Sequence, residues 1–286
     1  MKNKSLICAL ALLLSAPLLW GQGQVSTRKH RIADFTDKVT QVVLTGNEML
    51  SSALREEVVA GWTASAFEFC TLEQFEKLKS QDQYYFLLVA EHQLKDEENP
   101  GVSFLTLLKG TPEAKDGGMG AMFEVISLPL VASMGGDGRE LTYLGALIKT
   151  VQDYTLDAME SEKVAYGMEA WVNRNYDKWG HTKQIRIARE DLADSVTEQD
   201  LAKYLDTEFL VTEDSAEADQ DYLDAQYNTL VGYVVAPAIP DKGSYCYKML
   251  FEADTHILYY YSKHKITAKK GVGFLPEDLK RMAKKR

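Results

Sequence analysis

Residues 84–90 read YYFLLVA, and residues 230–236 read LVGYVVA. Both are short apolar runs rich in aromatic and β-branched residues and bounded by polar turns, the pattern of a strand buried on both faces. Working outward from each run gives the same order of elements twice. In the first half a strand at 39–44 precedes a helix in which Leu50, Leu54 and Val58 share one face, with Thr45 or Asn47 as its cap. A short strand at 66–69 leads to a capping box, Thr71-Leu72-Glu73-Gln74, whose helix continues through Phe75 and Leu78. Strands at 102–109 and 122–131 follow the central run. In the second half the strands fall at 184–188, 208–211, 230–236, 245–253 and 256–266, with helices near 197–205 and 216–225 and a last one from Pro276.

The order in each half is β-α-β-α-β-β-β-α. Corresponding strands start 134 to 146 residues apart, as an internal duplication leaves them. Helices alternating with strands, then closing hairpins, imply an α/β (α+β) protein: a mixed β-sheet with helices packed on it. Between the halves, Leu141, Leu144, Ile148, Val151, Tyr154 and Ala158 recur at three or four, so a long amphipathic helix is expected there. It restarts near Gly167 and ends at Gly180. The expected division is therefore 1–22 as a signal peptide, 23–138 as a first module, 139–180 as a connecting helix and 181–286 as a second module with a basic C-terminal helix.

The leader reading rests on MKNKSLICALALLLSAPLLW at residues 1–20: two lysines, then an apolar run interrupted by Ser15 and Pro17, with cleavage expected near Gly21 to Gly23. The implied location is periplasmic or secreted. Later residues hold no apolar run of membrane-spanning length, so no transmembrane span is expected in the mature chain. The 286 residues carry 32 Lys and Arg against 42 Asp and Glu, a net charge of −10. An acidic chain is a poor binder of nucleic acid. The two cysteines beyond the leader, Cys70 and Cys246, are a possible disulfide in an oxidising compartment.

The order of elements resembles the small α/β modules of the TolB amino-terminal domain and of curli-secretion CsgG-like proteins. The whole chain is similar to uncharacterised exported proteins of Bacteroidota, through Phe67-Glu68-Phe69-Cys70-Thr71-Leu72-Glu73-Gln74-Phe75 ahead of Tyr84-Tyr85-Phe86. That similarity implies an envelope location and no particular activity.

No motif assigns chemistry. The five histidines include no helical zinc pair, and neither glycine cluster (117–120, 135–138) carries a dinucleotide or P-loop signature. Both clusters read as turns, although the second precedes a helix start at which a phosphate is conceivable. The acidic run 213–221 lacks an EF-hand pattern and reads as a solvated helix. No catalytic residue, cofactor or metal is assigned. From Lys263 to the end, nine Lys and Arg face only Glu277 and Asp278. A basic end on an acidic body is suited to anionic lipid, lipopolysaccharide or an acidic partner. The leading expectation is an exported cell-envelope protein that works by binding or assembly. Its interface would be Tyr259, Tyr260 and Tyr261 with Lys280, Arg281, Lys284, Lys285 and Arg286. An enzyme acting on an envelope glycan or peptide, and a metal or small-molecule carrier, stand as alternatives.

Overall fold

A computed structural model describes residues 27–95 and 97–283. The expected leader at 1–22 and the basic residues Lys284, Lys285 and Arg286 lie outside these. Five strands form the first sheet: β1 (Val39–Val43), β2 (Ala66–Cys70), β3 (Tyr84–Glu91), β4 (Val102–Lys109) and β5 (Phe123–Ala132). Five more form the second: β6 (Gln184–Ala188), β7 (Phe209–Thr212), β8 (Thr229–Val235), β9 (Tyr245–Glu252) and β10 (Leu258–Lys265). The strand orders are β2-β1-β3-β4-β5 and β7-β6-β8-β9-β10. In each sheet the first three strands in that order are parallel and the last two are added antiparallel. One connectivity therefore occurs twice, as duplication of a single module would leave it.

The helices are α1 (Arg28–Ile32), α2 (Glu48–Gly61), α3 (Leu72–Leu78), α4 (Ala114–Gly117), α5 (Arg139–Glu160), α6 (Glu162–Ala165), α7 (Met168–Trp179), α8 (Glu198–Tyr204), α9 (Ser215–Leu223) and α10 (Pro276–Ala283). Local chemistry fixes their starts. Asn47 accepts from Leu50 N to cap α2, and Thr71 with Gln74 makes the expected capping box of α3. The long amphipathic segment breaks twice, at Ser161 and at Gly167, before α7 runs to Trp179.

α5 packs on α2, β4 and β5 from the first half, and on α9 and β10 from the second. Its Tyr143 stacks on Tyr233 at 4.5 Å and on Phe251 at 5.4 Å, both in the second sheet. One hydrophobic core thus runs from Val42, Tyr85 and Leu107 through α5 to Val231, Tyr247 and Tyr261. The opposite face of each sheet has its own smaller core. α3 supplies Phe75 to the first, and α10 supplies Leu279 and Met282 to the second.

Two expectations fail here. Tyr259, Tyr260 and Tyr261 are not an exposed aromatic interface: their exposures are 7%, 1% and 5%. Strict alternation would send Tyr259 and Tyr260 to opposite faces. A bulge between Leu258 and Tyr260 instead lets both rings join the core under α10, while Tyr261 joins the shared core. The second failure is the disulfide. Cys70 and Cys246 are free and buried in different sheets, Cys70 beside Phe75 and Phe86, Cys246 accepting from Gly273 N at 3.2 Å.

Candidate functional site

A cleft opens at the edge of the first sheet where β4 ends and β5 begins. Its volume is about 860 Å³, within the range of small-molecule sites. Asp34 and Lys109 line its floor, and the fully buried Tyr85 backs them from the core. Tyr85 on β3 and Lys109 on β4 are cross-strand partners, so their side chains leave the same face side by side, with the ammonium 5.5 Å from the ring centre. Between them sits Asp34, on the turn after α1. Lys109 Nζ donates to Asp34 Oδ1 at 2.7 Å, to Oδ2 at 2.8 Å and to Arg31 O at 2.8 Å. Tyr85 Oη donates to Asp34 Oδ1 at 2.7 Å, and Lys38 Nζ lies 3.3 Å from Oδ2. Partial burial opposes ionisation of Asp34, but the hydrogen bonds from Lys109, Tyr85 and Lys38 outweigh it and hold the carboxyl below its usual range. Tyr85 is pushed well above the usual phenol range, by burial first and then by the Asp34 carboxylate.

α1 is anchored so that Asp34 can reach this point. Arg28 Nε donates to Ala165 O at 2.8 Å and Nη2 to Glu124 O at 2.9 Å. The Glu162 carboxylate accepts from Arg28 N and Lys29 N at the positive end of the helix. Around the floor, His30, Arg31, Asp37, Asp82, Glu113 and Phe123 line the walls. With Asp34, Lys109 and the adjoining Lys38 counted and histidine neutral, four carboxylates face three cations, so the cleft carries a small net negative charge.

A second charged cluster lies beside α5, but it is closed. Arg139 grips Asp191, just beyond β6, at 3.0 Å and Asp219 on α9 at 2.8 Å. Tyr143 Oη adds a 2.6 Å bond to Asp219 Oδ1, and the Arg139 Nη2 group also reaches Gly232 O. Crevices outside the carboxyl ends of parallel strands commonly hold ligands. In the second sheet this one is occupied by the protein's own ions. Burial, followed by the influence of Asp219 and Glu190, raises Asp191 to about 6 although Arg139 pulls the other way.

The sequence readings meet the structure as follows. Gly118, Gly135 and Gly138 take positive φ, as turn glycines do. The start of α5 is served by the chain itself: Gly138 N donates to Glu140 Oε2 and Arg139 N to Asp137 Oδ1. The acidic run forms α9 with Asp214 as its cap, yet Asp219 turns inward to Arg139, which a solvated helix does not anticipate. Cys246 stands opposite His264 in the β9–β10 ladder. Burial, eased by the Gly273 N–H, still leaves the Cys246 thiol raised to about 11, and His264 Nε2 is bonded to Gly271 O. That is a packed thiol at neutral pH and not a nucleophile. Among the described residues, no three His, Cys, Asp or Glu side chains gather as a metal site. Lys280 is exposed. Arg281 is half-buried, 5.1 Å over the Tyr260 ring. The tyrosines singled out in the sequence therefore seat the basic helix: Tyr260 Oη and Lys248 Nζ each bond Asp278 at 2.6 Å.

Asp34, Tyr85 and Lys109 escape sequence reading because no motif links them; they are 51 and 24 residues apart in sequence. The one available signal was the Tyr84-Tyr85-Phe86 cluster, whose middle ring had to face inward. Compared with known proteins, the chain matches no family model, no curated relative and no solved structure.

Proposed function

We propose that the chain is exported to the cell envelope and works there by binding, with a small polar ligand carrying a positive group held in the cleft over Asp34 and Lys109. The leader-like residues 1–22 support the location. Among the described residues no helix is long and apolar enough to cross a membrane. The cleft is the observation that carries the reading. Its central charges are locked on one another, so they position a ligand. Proton transfer needs a group that titrates near the working pH, whereas Asp34 is held ionised well below it. The exposed carboxylates at the rim, Asp37, Asp82 and Glu113, leave a net negative field that favours an amine or guanidinium.

Calorimetric titration with putrescine and lysine amide, against acetate and glucose as controls, tests this. Saturable binding of the amines alone is expected. The double substitution Asp82→Asn with Glu113→Gln should weaken it about fivefold, as two exposed charge contacts imply, while the thermal midpoint stays put. No amine binding, or binding indifferent to the double substitution, would sink the assignment.

A further inference from the structure

A second cleft lies where the connecting helices meet the second sheet, and it shares no lining residue with the first. Its volume is about 300 Å³, the lower end of the range for small-molecule sites. α5 lines it with Asp153 and Asp157, α7 with Trp171 and Arg174, and the β9–β10 turn with His256 and Ile257. Trp171 Nε1 donates to Asp157 Oδ2 at 2.7 Å, and Arg174 Nη2 donates to the same oxygen at 2.8 Å. The guanidinium lies 5.6 Å from the Trp171 ring centre, and Tyr154 meets that ring edge-on at 5.4 Å. Lys149 Nζ holds Asp153 Oδ2 at 2.8 Å. On the turn, the exposed His256 sits at φ 57°, a left-handed conformation that glycine adopts most easily. Its Nδ1 lies 2.6 Å from Tyr222 Oη. Burial, then the Glu57 carboxylate, holds the Tyr222 phenol above its usual range, so it keeps its proton to donate. With that proton given to Nδ1, the neutral imidazole carries its own on Nε2 and is a donor there.

With histidine counted neutral, every charged side chain lining this cleft is paired at 2.8 Å: Asp157 with Arg174, and Asp153 with Lys149. An ionic ligand therefore meets no unanswered charge. What the cleft offers is hydrogen bonding of both senses beside apolar surface. Carboxylate oxygens accept, the guanidinium and imidazole N–H groups donate, and Trp171, Leu156 and Ile257 are apolar. We propose that it binds an N-acetylated amino sugar. The acetamido group brings a donor, an acceptor and a methyl group together: N–H for a carboxylate, C=O for Arg174 or His256, and the methyl for the apolar lining. Sugar hydroxyls, each both donor and acceptor, serve the polar groups that one amide leaves over, Asp153 and Asn175. A plain hexose has no methyl to bury, and an acetylated peptide end has no hydroxyls. The inference does not rest on the amine cleft, and the failure of either leaves the other standing.

The test is calorimetric titration of the protein with N-acetylglucosamine, N-acetylgalactosamine and N-acetylmannosamine, against glucose and N-acetylalanine amide. Saturable binding of at least one acetamido sugar, and of neither control, is expected. Arg174→Gln and His256→Gly should each weaken it about fivefold, as the loss of one hydrogen bond implies. Glycine suits the backbone at position 256, and Arg174 is an exposed side chain, so both variants should keep thermal midpoints close to the parent's. Tryptophan emission should change on binding, and Trp171→Phe should remove that response. No binding of any of the three sugars, or binding that both substitutions leave unmoved, overturns the proposal. Equal binding of glucose overturns the role given to the methyl group. Equal binding of N-acetylalanine amide overturns the sugar assignment in favour of an acetylated peptide end.

Discussion

Asp191→Asn should make the protein more sensitive to acid, because Asp191 titrates in the direction that opposes ordinary acid denaturation. Asp191 is 5% exposed and shares Arg139 with Asp219, so one buried cation serves two carboxylates. Burial raises Asp191 from 3.8 to about 6 in the folded protein. A carboxyl with a folded pKa above its unfolded value binds its proton more tightly when folded. It therefore adds stability as pH falls from about 6 towards 4, and withholds that stability above 6. A shift of this size corresponds to about 3 kcal/mol in full, of which about 2 kcal/mol develops between pH 7.5 and 4.5. The asparagine keeps the shape, leaves Arg139 paired with Asp219, and cannot titrate. Urea unfolding of both proteins at the two pH values isolates the effect of the Arg139 cluster, because carboxyls remote from it titrate alike in each. The variant's stability relative to wild type should fall by about 2 kcal/mol on going from pH 7.5 to 4.5. A difference that is flat with pH, or that rises on acidification, would refute the claim that Asp191 is the surplus buried charge.

Three further outcomes are expected. Lys248→Met should cost about 3–5 kcal/mol in urea unfolding, because Lys248 is 2% exposed and its loss strands Asp278 without a cation; adding Asp278→Asn should recover part of that. Tyr85→Phe should cost about 1.5–3 kcal/mol by the same measurement, since it removes a buried donor from an ionised acceptor. Cys70 and Cys246, both raised to about 11 chiefly by burial, should resist a thiol reagent at pH 8 in the native protein and react fully in denaturant. Rapid native labelling of either would contradict their packing.

The fold was legible because its signals are local. Apolar runs such as 84–90, caps at Asn47 and Thr71, and the glycine at 167 each act within a few residues, and their order repeats in the two halves as the two sheets' topology does. The site was not legible because its parts meet only through the sheet. Lys109 reads as the polar end of a strand until pairing sets it beside Tyr85, and Asp34 reads as a loop acid until α1 is anchored through Arg28. The same limit misplaced the tyrosines at 259–261. Period-two reasoning puts neighbouring rings on opposite faces, and only the packing of α10 on one face and the shared core on the other shows that both faces are covered.

The two copies part company after their fifth strands, and the reason is what each has left to cover. α5 follows β5 and α10 follows β10, so they are topological equivalents. α5 is followed by a second sheet. Its 22 residues therefore bury Leu144, Leu147 and Val151 in the core both sheets share, and send Arg139 and Tyr143 to Asp219 in the second half. α10 covers one face of a single sheet, and Leu279, Met282 and the Asp278 bond to Lys248 suffice to seat its eight residues. Its exposed side holds Lys280, while Arg281 packs over the Tyr260 ring and reaches Asp177. A duplicated module can in this way keep one copy's edge open as a cleft while the other copy's terminal helix becomes charged, without changing the strands that define either sheet.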